Sequence, residues 1–230
     1  MRFFGGPTEL RFADRADAGR QLAAKLEHLR GDDVLVLGLP RGGVAVAYEV
    51  AKALDAPLDV IVARKLGAPQ QPELAIGAIA PGASVLREDL VDMLGLGRDE
   101  IERISARESV RAAELEDRLR HGRHAYDPAG RTVVIVDDGL ATGATATAAA
   151  RSARTRRPAR VVLAVPVAAP ESVADIAREV DEVITVIAPR DMRAVGLWYE
   201  TFPQLSDEEV EAMLDERAAA RGTSDQPAGR

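Results

Sequence analysis

Val133-Val134-Ile135-Val136-Asp137-Asp138-Gly139-Leu140-Ala141-Thr142-Gly143-Ala144-Thr145 is the stretch on which the reading of this chain turns. Its four β-branched apolar residues predict a buried strand, and the alanine-rich run after Gly143 predicts a helix. Two adjacent carboxylates stand between them. Asp137 and Asp138 at the end of a buried strand repel each other and lose hydration, a cost that calls for a ligand. The vicinal hydroxyls of a ribose would offset it, because each O–H is a donor that a carboxylate accepts. Further on, Thr142-Gly143-Ala144-Thr145 falls where the helix starts. Free N–H groups and the positive helix end favour a phosphate there. Gly143 allows close approach, and the Thr142 and Thr145 hydroxyls add donors. One loop therefore offers places for the 2- and 3-hydroxyls and the 5-phosphate of a single sugar. Neither a Gly-x4-Gly-Lys-Ser/Thr loop nor a Gly-x-Gly-x-x-Gly fingerprint occurs.

Outward from this loop, short apolar runs alternate with amphipathic stretches. The runs are Val34–Leu37, Leu58–Ala63, Val133–Val136, Val161–Val165 and Val183–Ile187; the helical patterns are Ala16–Leu29, Val44–Leu54, Ala144–Arg154 and Glu171–Glu179. That order predicts an α/β fold, a parallel sheet with helices on both faces. Ligands in such sheets bind beyond the carboxyl ends of the strands. The first strand runs into Leu39-Pro40-Arg41-Gly42-Gly43, a second glycine-rich helix start suited to an anion. The second runs into Arg64-Lys65, two cations able to neutralise charge on a departing group. Residues Arg64–Arg98 show no helical period; Pro81-Gly82 marks a turn between two extended pieces, Leu74–Ala80 and Ser84–Arg87. Asp99–Arg120 reads as a charged helix.

The segment Val133–Thr145 resembles the signature of type I phosphoribosyltransferases, which bind phosphoribosyl pyrophosphate (PRPP). The order of Leu39–Gly43, Arg64-Lys65, Asp137–Thr145 and the C-terminal piece is similar to that of bacterial predicted phosphoribosyltransferases of undefined acceptor, over most of residues 10–210. The resemblance implies a single domain over residues 1–220, with a small hood from 1–15 and 190–215, a flexible loop at 64–98 that closes over the donor, and a loose tail at 221–230. It implies transfer of a 5-phosphoribosyl group from PRPP to a nucleobase-like or other small acceptor, with pyrophosphate released, and hence a place in nucleotide metabolism. Asp137 and Asp138 would hold the ribose and, with Arg64 and Lys65, count as catalytic. Ala141, Thr142, Gly143, Ala144 and Thr145 would hold the 5-phosphate. Pro40, Arg41, Gly42, Gly43, Arg64 and Lys65 would hold pyrophosphate, with a non-proline cis peptide inside Pro40–Gly43. Mg²⁺ would arrive mainly on the donor, with no protein metal ligand assigned.

The acceptor side is less defined. Trp198 and Tyr199 in Trp198–Phe202 either stack on an acceptor as part of the hood or pin the C-terminal segment to the core. Arg2, Phe3 and Phe4 are candidates for a second hood element. Where 6-oxopurine members of the family carry an Asp before Thr-Gly, this chain has Ala141, which argues against hypoxanthine or guanine. Glu73 or Glu88 is a candidate general base, and Arg87 and Arg107 are candidates to join the anion site. Two other readings stay open: a PRPP-sensing regulator without transfer, and a hydrolase of a phosphoribosyl compound.

Bulk composition narrows the classes further. The chain has 230 residues, is 47% hydrophobic and 29% charged, carries a formal charge of -7 and contains no cysteine. Disulfides, Cys-ligated zinc and Cys nucleophiles are excluded. No nucleic-acid partner is expected at that charge, and the basic cluster Arg151–Arg160 suits a helix C-terminus. The longest apolar run, Val161–Ala169, is far short of the ~20 residues that span a bilayer, and no signal peptide is evident, so a cytoplasmic place without membrane partners is expected. A homodimer is one assembly left open.

Overall fold

The computed structural model describes residues 11–222. A five-stranded parallel sheet is built from β1 (Val34–Gly38), β2 (Leu58–Val60), β6 (Thr132–Val136), β7 (Arg160–Val167) and β8 (Glu182–Ile187), in the order β2-β1-β6-β7-β8. The apolar runs become strands because both faces are covered. Val34 and Val36 pack with α1 (Arg15–Lys25), α2 (Gly42–Leu54) and α7 (Asp207–Gly222), whereas Leu35 and Leu37 pack with α5 (Ala144–Thr155) and α6 (Pro170–Ile176). The chain leaves β1 for β2 on one side and later adds β6 on the other. The reversal lies between β1 and β6, whose last residues Gly38 and Val136 are paired. Loops leaving a sheet at such a switch point diverge and open a crevice. Here they are the two that the sequence singles out.

The apolar run Leu58–Ala63 is cut short. β2 ends at Val60, and the chain passes into a second, antiparallel sheet of β3 (Arg64–Ala68), β4 (Gln71–Ala80) and β5 (Ala83–Leu86), in the order β3-β4-β5. The two extended pieces and the Pro81-Gly82 turn fall where the sequence puts them, Gly82 having φ +75°. The segment 64–98 that the resemblance makes a flexible loop carries regular elements over a core of its own: Leu66, Ala68, Ile76, Ile79, Leu90 and Ile104 form a separate apolar cluster beneath this sheet. An added helix, α3 (Glu88–Leu94), and the long α4 (Arg98–Arg120) complete the segment.

Helix α5 lies between the two sheets, which explains its composition. Ala146, Ala149, Ala150 and Ala153 face the parallel sheet, while Ala148 meets Ala78 and Ala80 of β4. Only a small side chain lets backbone approach on two sides.

At the ends of the chain, Phe12 and Tyr199 form a parallel bridge, with Phe12 N donating to Trp198 O at 2.9 Å and Glu200 N to Phe12 O at 2.8 Å. The hood bounds need two corrections. Residues from Asp207 onward form α7, whose Val210 and Leu214 enter the main core, and Arg221 and Gly222 belong to that helix instead of a tail. Arg2, Phe3 and Phe4 lie outside the described residues. Among the described residues, no helix is long and apolar enough to cross a membrane.

Candidate active site

The acidic loop leaves β6 and is held on both sides. Leu140 N donates to Val167 O at 2.8 Å, Ala169 N donates to Leu140 O at 2.9 Å, and Ser172 Oγ donates to Ala141 O at 2.6 Å. Gly143 then takes φ +76° and begins α5 with no side chain capping the helix. Its first-turn N–H groups have no side-chain partner and are open to water or a ligand. The Thr142 and Thr145 side chains carry no hydrogen bond among the described residues. Thr142 is exposed and Thr145 half-buried.

The two carboxylates differ in their surroundings. Asp137 Oδ1 accepts from the backbone N of Asp138 at 2.8 Å. Asp138 Oδ2 accepts from Arg15 Nε at 2.9 Å. Burial pushes the Asp137 carboxyl well above the usual range, and the charge on Asp138 pushes it further; the bond from Asp138 N, then Arg15 and Lys65, only partly oppose this. Asp138 is also raised by burial, against the pull of its bond to Arg15. In the empty protein one of the pair therefore resists ionisation. Two sugar O–H donors would favour the charged form of both.

The glycine loop after β1 packs directly on these acids. A Cβ on Gly43 would stand 2.7 Å from Val136 O and 2.8 Å from Asp137 Cα. A Cβ on Gly42 would stand 2.8 Å from Asp138 Cγ and 2.9 Å from Arg15 Nε. Any larger residue at either position separates the two loops. The peptide bond Pro40-Arg41 is cis, inside the stretch where the family resemblance puts one. Arg41 itself is exposed and leans to Asp207, 3.8 Å from Nη1 to Oδ1.

The two cations after β2 point to opposite faces of the second sheet. Arg64 pairs in register with Ile79 and Lys65 with Ala78. Ile79 belongs to the core under α4, and Ala78 packs on Ala148 of α5. Side chains opposite each other in a ladder share a face. Arg64 therefore points to α4, where its Nε donates to the buried Glu108 at 2.7 Å. Lys65 is on the α5 side, exposed, and within electrostatic reach of Asp137.

Tyr199 does not offer a ring face. Its ring is buried against Phe12, with centroids 5.4 Å apart, and Phe202, 4.8 Å apart. What it brings to the site is its hydroxyl, which donates to Asp138 O at 2.6 Å. Burial, followed by the charge on Asp138, pushes that hydroxyl upward, so it stays a donor. Trp198 is half-buried and Phe202 is 37% exposed. Of the other candidates, Arg87 Nη2 donates to Asp89 at 2.9 Å and Arg107 Nε to Glu108 at 3.1 Å. Glu88 starts α3. Glu73 stands five residues along β4 from the partner of Lys65, about 17 Å at ~3.4 Å per residue. No contact ties either glutamate to the acidic loop.

Arg15 is the residue the sequence did not disclose. Besides Asp138, it donates from Nη1 to Pro203 O at 2.6 Å, and its guanidinium carbon lies 3.7 Å from the Phe202 ring centroid. It thus couples the 199–203 segment to the acidic loop. Within the charged start of α1 it resembles any solvated arginine, and nothing local marks its role.

Comparison with known proteins gives this architecture a family. Residues 12–199 match the model of the phosphoribosyl transferase domain. Two curated Mycobacterium tuberculosis proteins, "Putative phosphoribosyl transferase MT0597" of strain CDC 1551 / Oshkosh and "Putative phosphoribosyl transferase Rv0571c" of strain H37Rv, are each 50% identical over 205 residues, covering 89% of this chain and 46% of the relative. The chain thus spans about half the length of the curated relatives it matches. The crystal structure of TT1426 from Thermus thermophilus superposes with a TM-score of 0.77 at 43% identity, covering 90% of this chain and 98% of that one. The chain belongs to the phosphoribosyl transferase domain family.

Proposed function

We propose that the chain transfers the 5-phosphoribosyl group of PRPP to a small acceptor and releases pyrophosphate. The observation that carries this is the junction of two loops: Asp137 and Asp138 against Gly42 and Gly43, with the uncapped start of α5 beside them. Three parts of one donor fit that junction. The carboxylates accept the 2- and 3-hydroxyls; the N–H groups and hydroxyls of Thr142–Thr145 take the 5-phosphate; Gly42, Gly43 and Lys65 face the pyrophosphate. Lys65 is the cation placed to meet charge that grows on the leaving oxygen as the C1–O bond breaks. Arg64 is withdrawn from that role by Glu108.

Mg²⁺ fits this site as an ion carried on the donor. Among the described residues no cluster of three or more His, Cys, Asp or Glu could hold a metal, and Asp138 Oδ2 is already engaged by Arg15. Carried on the donor, the ion would neutralise pyrophosphate charge. Ala141 leaves the position next to Thr142 without a carboxylate, so a purine nitrogen would find no base there. An acceptor that is nucleophilic without deprotonation, or that brings its own base, suits the site better. Pyrophosphate release from PRPP and Mg²⁺, measured across nucleobases and small amines, tests the reaction. Turnover with at least one acceptor is expected. Tight PRPP binding with no release for any acceptor would instead mark a donor-sensing protein.

A further inference from the structure

Behind the β3–β4 hairpin, on the face away from α5, runs a groove of about 590 Å³ walled by α4. That volume is within the roughly 300–1,000 Å³ of small-molecule sites. Its charge is unlike that of the chain. Arg64, Arg103, Arg107 and Arg111 line it against Glu100 and Glu108, a formal excess of two positive charges in a protein of -7, with Lys65 at its border. On α4 the contributors recur at three- and four-residue spacing, so they share one side of the helix.

One buried carboxylate organises the cations. Glu108, 5% exposed, accepts from Arg64 Nε at 2.7 Å, Arg107 Nε at 3.1 Å and Arg111 Nη1 at 2.8 Å. It can balance one of those three charges. Arg64 and Arg107 engage it through Nε alone, which leaves their Nη groups without a partner among the described residues. A guanidinium fixed at Nε presents a preset fork, the geometry that binds phosphate oxygens in pairs. Arg103 touches only the carbonyl of Asp99, at 3.1 Å. Next to the groove, a pocket of about 240 Å³ shares Ala68, Pro69 and Glu100 with it and adds Gln70, Gln71 and Leu96. An apolar wall with two amides suits the non-phosphate part of a ligand.

We propose that this groove is a second anion site, separate from the PRPP loops. It binds a phosphorylated small molecule of nucleotide size, with Arg64, Arg103, Arg107 and Arg111 as its phosphate contacts. Arg64 and Lys65, adjacent on β3 but on opposite faces, place the groove and the catalytic loops one residue apart along the chain. The proposal stands whether or not the chain transfers phosphoribosyl groups.

The test uses inorganic triphosphate, titrated calorimetrically into the full chain, its Arg103→Gln variant and its Arg107→Gln/Arg111→Gln variant. The parent should bind. Affinity should fall about threefold in the single variant and at least about tenfold in the double, each lost charge-assisted bond weakening the complex. Hydrogen exchange should show triphosphate protecting residues 64–72 and 98–111. Arg103→Gln leaves every bond to Glu108 in place, so misfolding of the double variant would not blunt the test. The proposal is overturned if the parent does not bind, if both variants bind like the parent, or if protection is confined to 41–45 and 137–147.

Discussion

Arg15 Nε and Asp138 Oδ2 stand 2.9 Å apart although 123 positions separate them in the chain. The pair joins the first helix to the acidic loop, and through Pro203 O and Phe202 it also joins the C-terminal segment. Removing the guanidinium leaves two neighbouring, half-buried carboxylates with less opposing charge. Arg15→Met should raise both carboxyl pKa values and weaken PRPP binding about tenfold near pH 6, with part of the loss recovered as pH rises and the acids ionise. Calorimetry at several pH values checks this; a parental affinity, or a deficit that does not change with pH, would show that Arg15 serves only packing.

Asp137→Asn should stabilise the empty protein at neutral pH. The folded-state carboxyl is raised, so between the ordinary carboxylate pKa and its folded value the native state binds more protons than the unfolded chain. Parent stability therefore falls as pH rises through that window, and the full cost of ionising Asp137 is felt above it. Asn keeps the acceptor for the backbone N of Asp138 without the charge. The melting temperature should rise by at least about 2–4 °C at pH 8, the shift that ~1 kcal/mol gives in a chain of this size. The gain should vanish as pH drops toward ~4. PRPP affinity should fall in the same variant. A melting temperature lower than the parent's at pH 8 would contradict the assignment of strain to this pair.

Lys65→Ala and Arg64→Ala should separate. If Lys65 meets charge that appears mainly in the transition state, as proposed, its loss should lower kcat by about 10²–10³ with a smaller change in donor affinity. Arg64 is turned to Glu108. Its loss should leave kcat within about threefold and lower stability by about 1–3 kcal/mol, because a buried carboxylate loses a charged donor. Steady-state kinetics and denaturant unfolding of the two variants check the division. Equal losses of kcat would place both cations on the leaving group.

Motion in the hairpin should be confined to its tip. Residues 75–86 lie in a three-stranded ladder over their own apolar core and against α5, while Gln70, Gln71, Pro72 and Glu73 are exposed. Hydrogen exchange in the empty protein should be slow over 75–86 and fast over 69–73. PRPP with an acceptor should slow the tip. Fast exchange across 75–86 in the empty protein would restore a whole-segment lid.

What the sequence discloses depends on how far apart the cooperating residues lie. The parallel strands are legible because burial on both faces demands continuous apolar residues. The candidate ribose and phosphate site is legible because nine consecutive residues, Asp137–Thr145, make it up. Besides Arg15, three features are not. The run Leu58–Ala63 gives no sign that its last three residues leave one sheet for another, since both cores want apolar side chains. Arg64 and Lys65 look alike in sequence, and only the register of β3 on β4 turns them to opposite faces. Helix α7 buries Val210 and Leu214 within an otherwise charged stretch, too narrow a stripe to stand out. The basic cluster at Arg151 and Arg154 is closer to its sequence reading: both pair with the segment after α6, Arg151 with Glu179 and Arg154 with Asp181.

The central claim is that one loop, Asp137–Thr145, holds the ribose and 5-phosphate of PRPP. Calorimetric titration of PRPP with Mg²⁺ tests it most directly, run on the parent and on an Asp137→Asn/Asp138→Asn variant whose fold is verified by its melting transition. The account predicts saturable one-site binding to the parent and a loss of at least about 2 kcal/mol, some thirtyfold in affinity, in the variant, since two charged acceptors of sugar hydroxyls are removed. Binding of equal strength to both proteins, or none to the parent at millimolar PRPP, would contradict it.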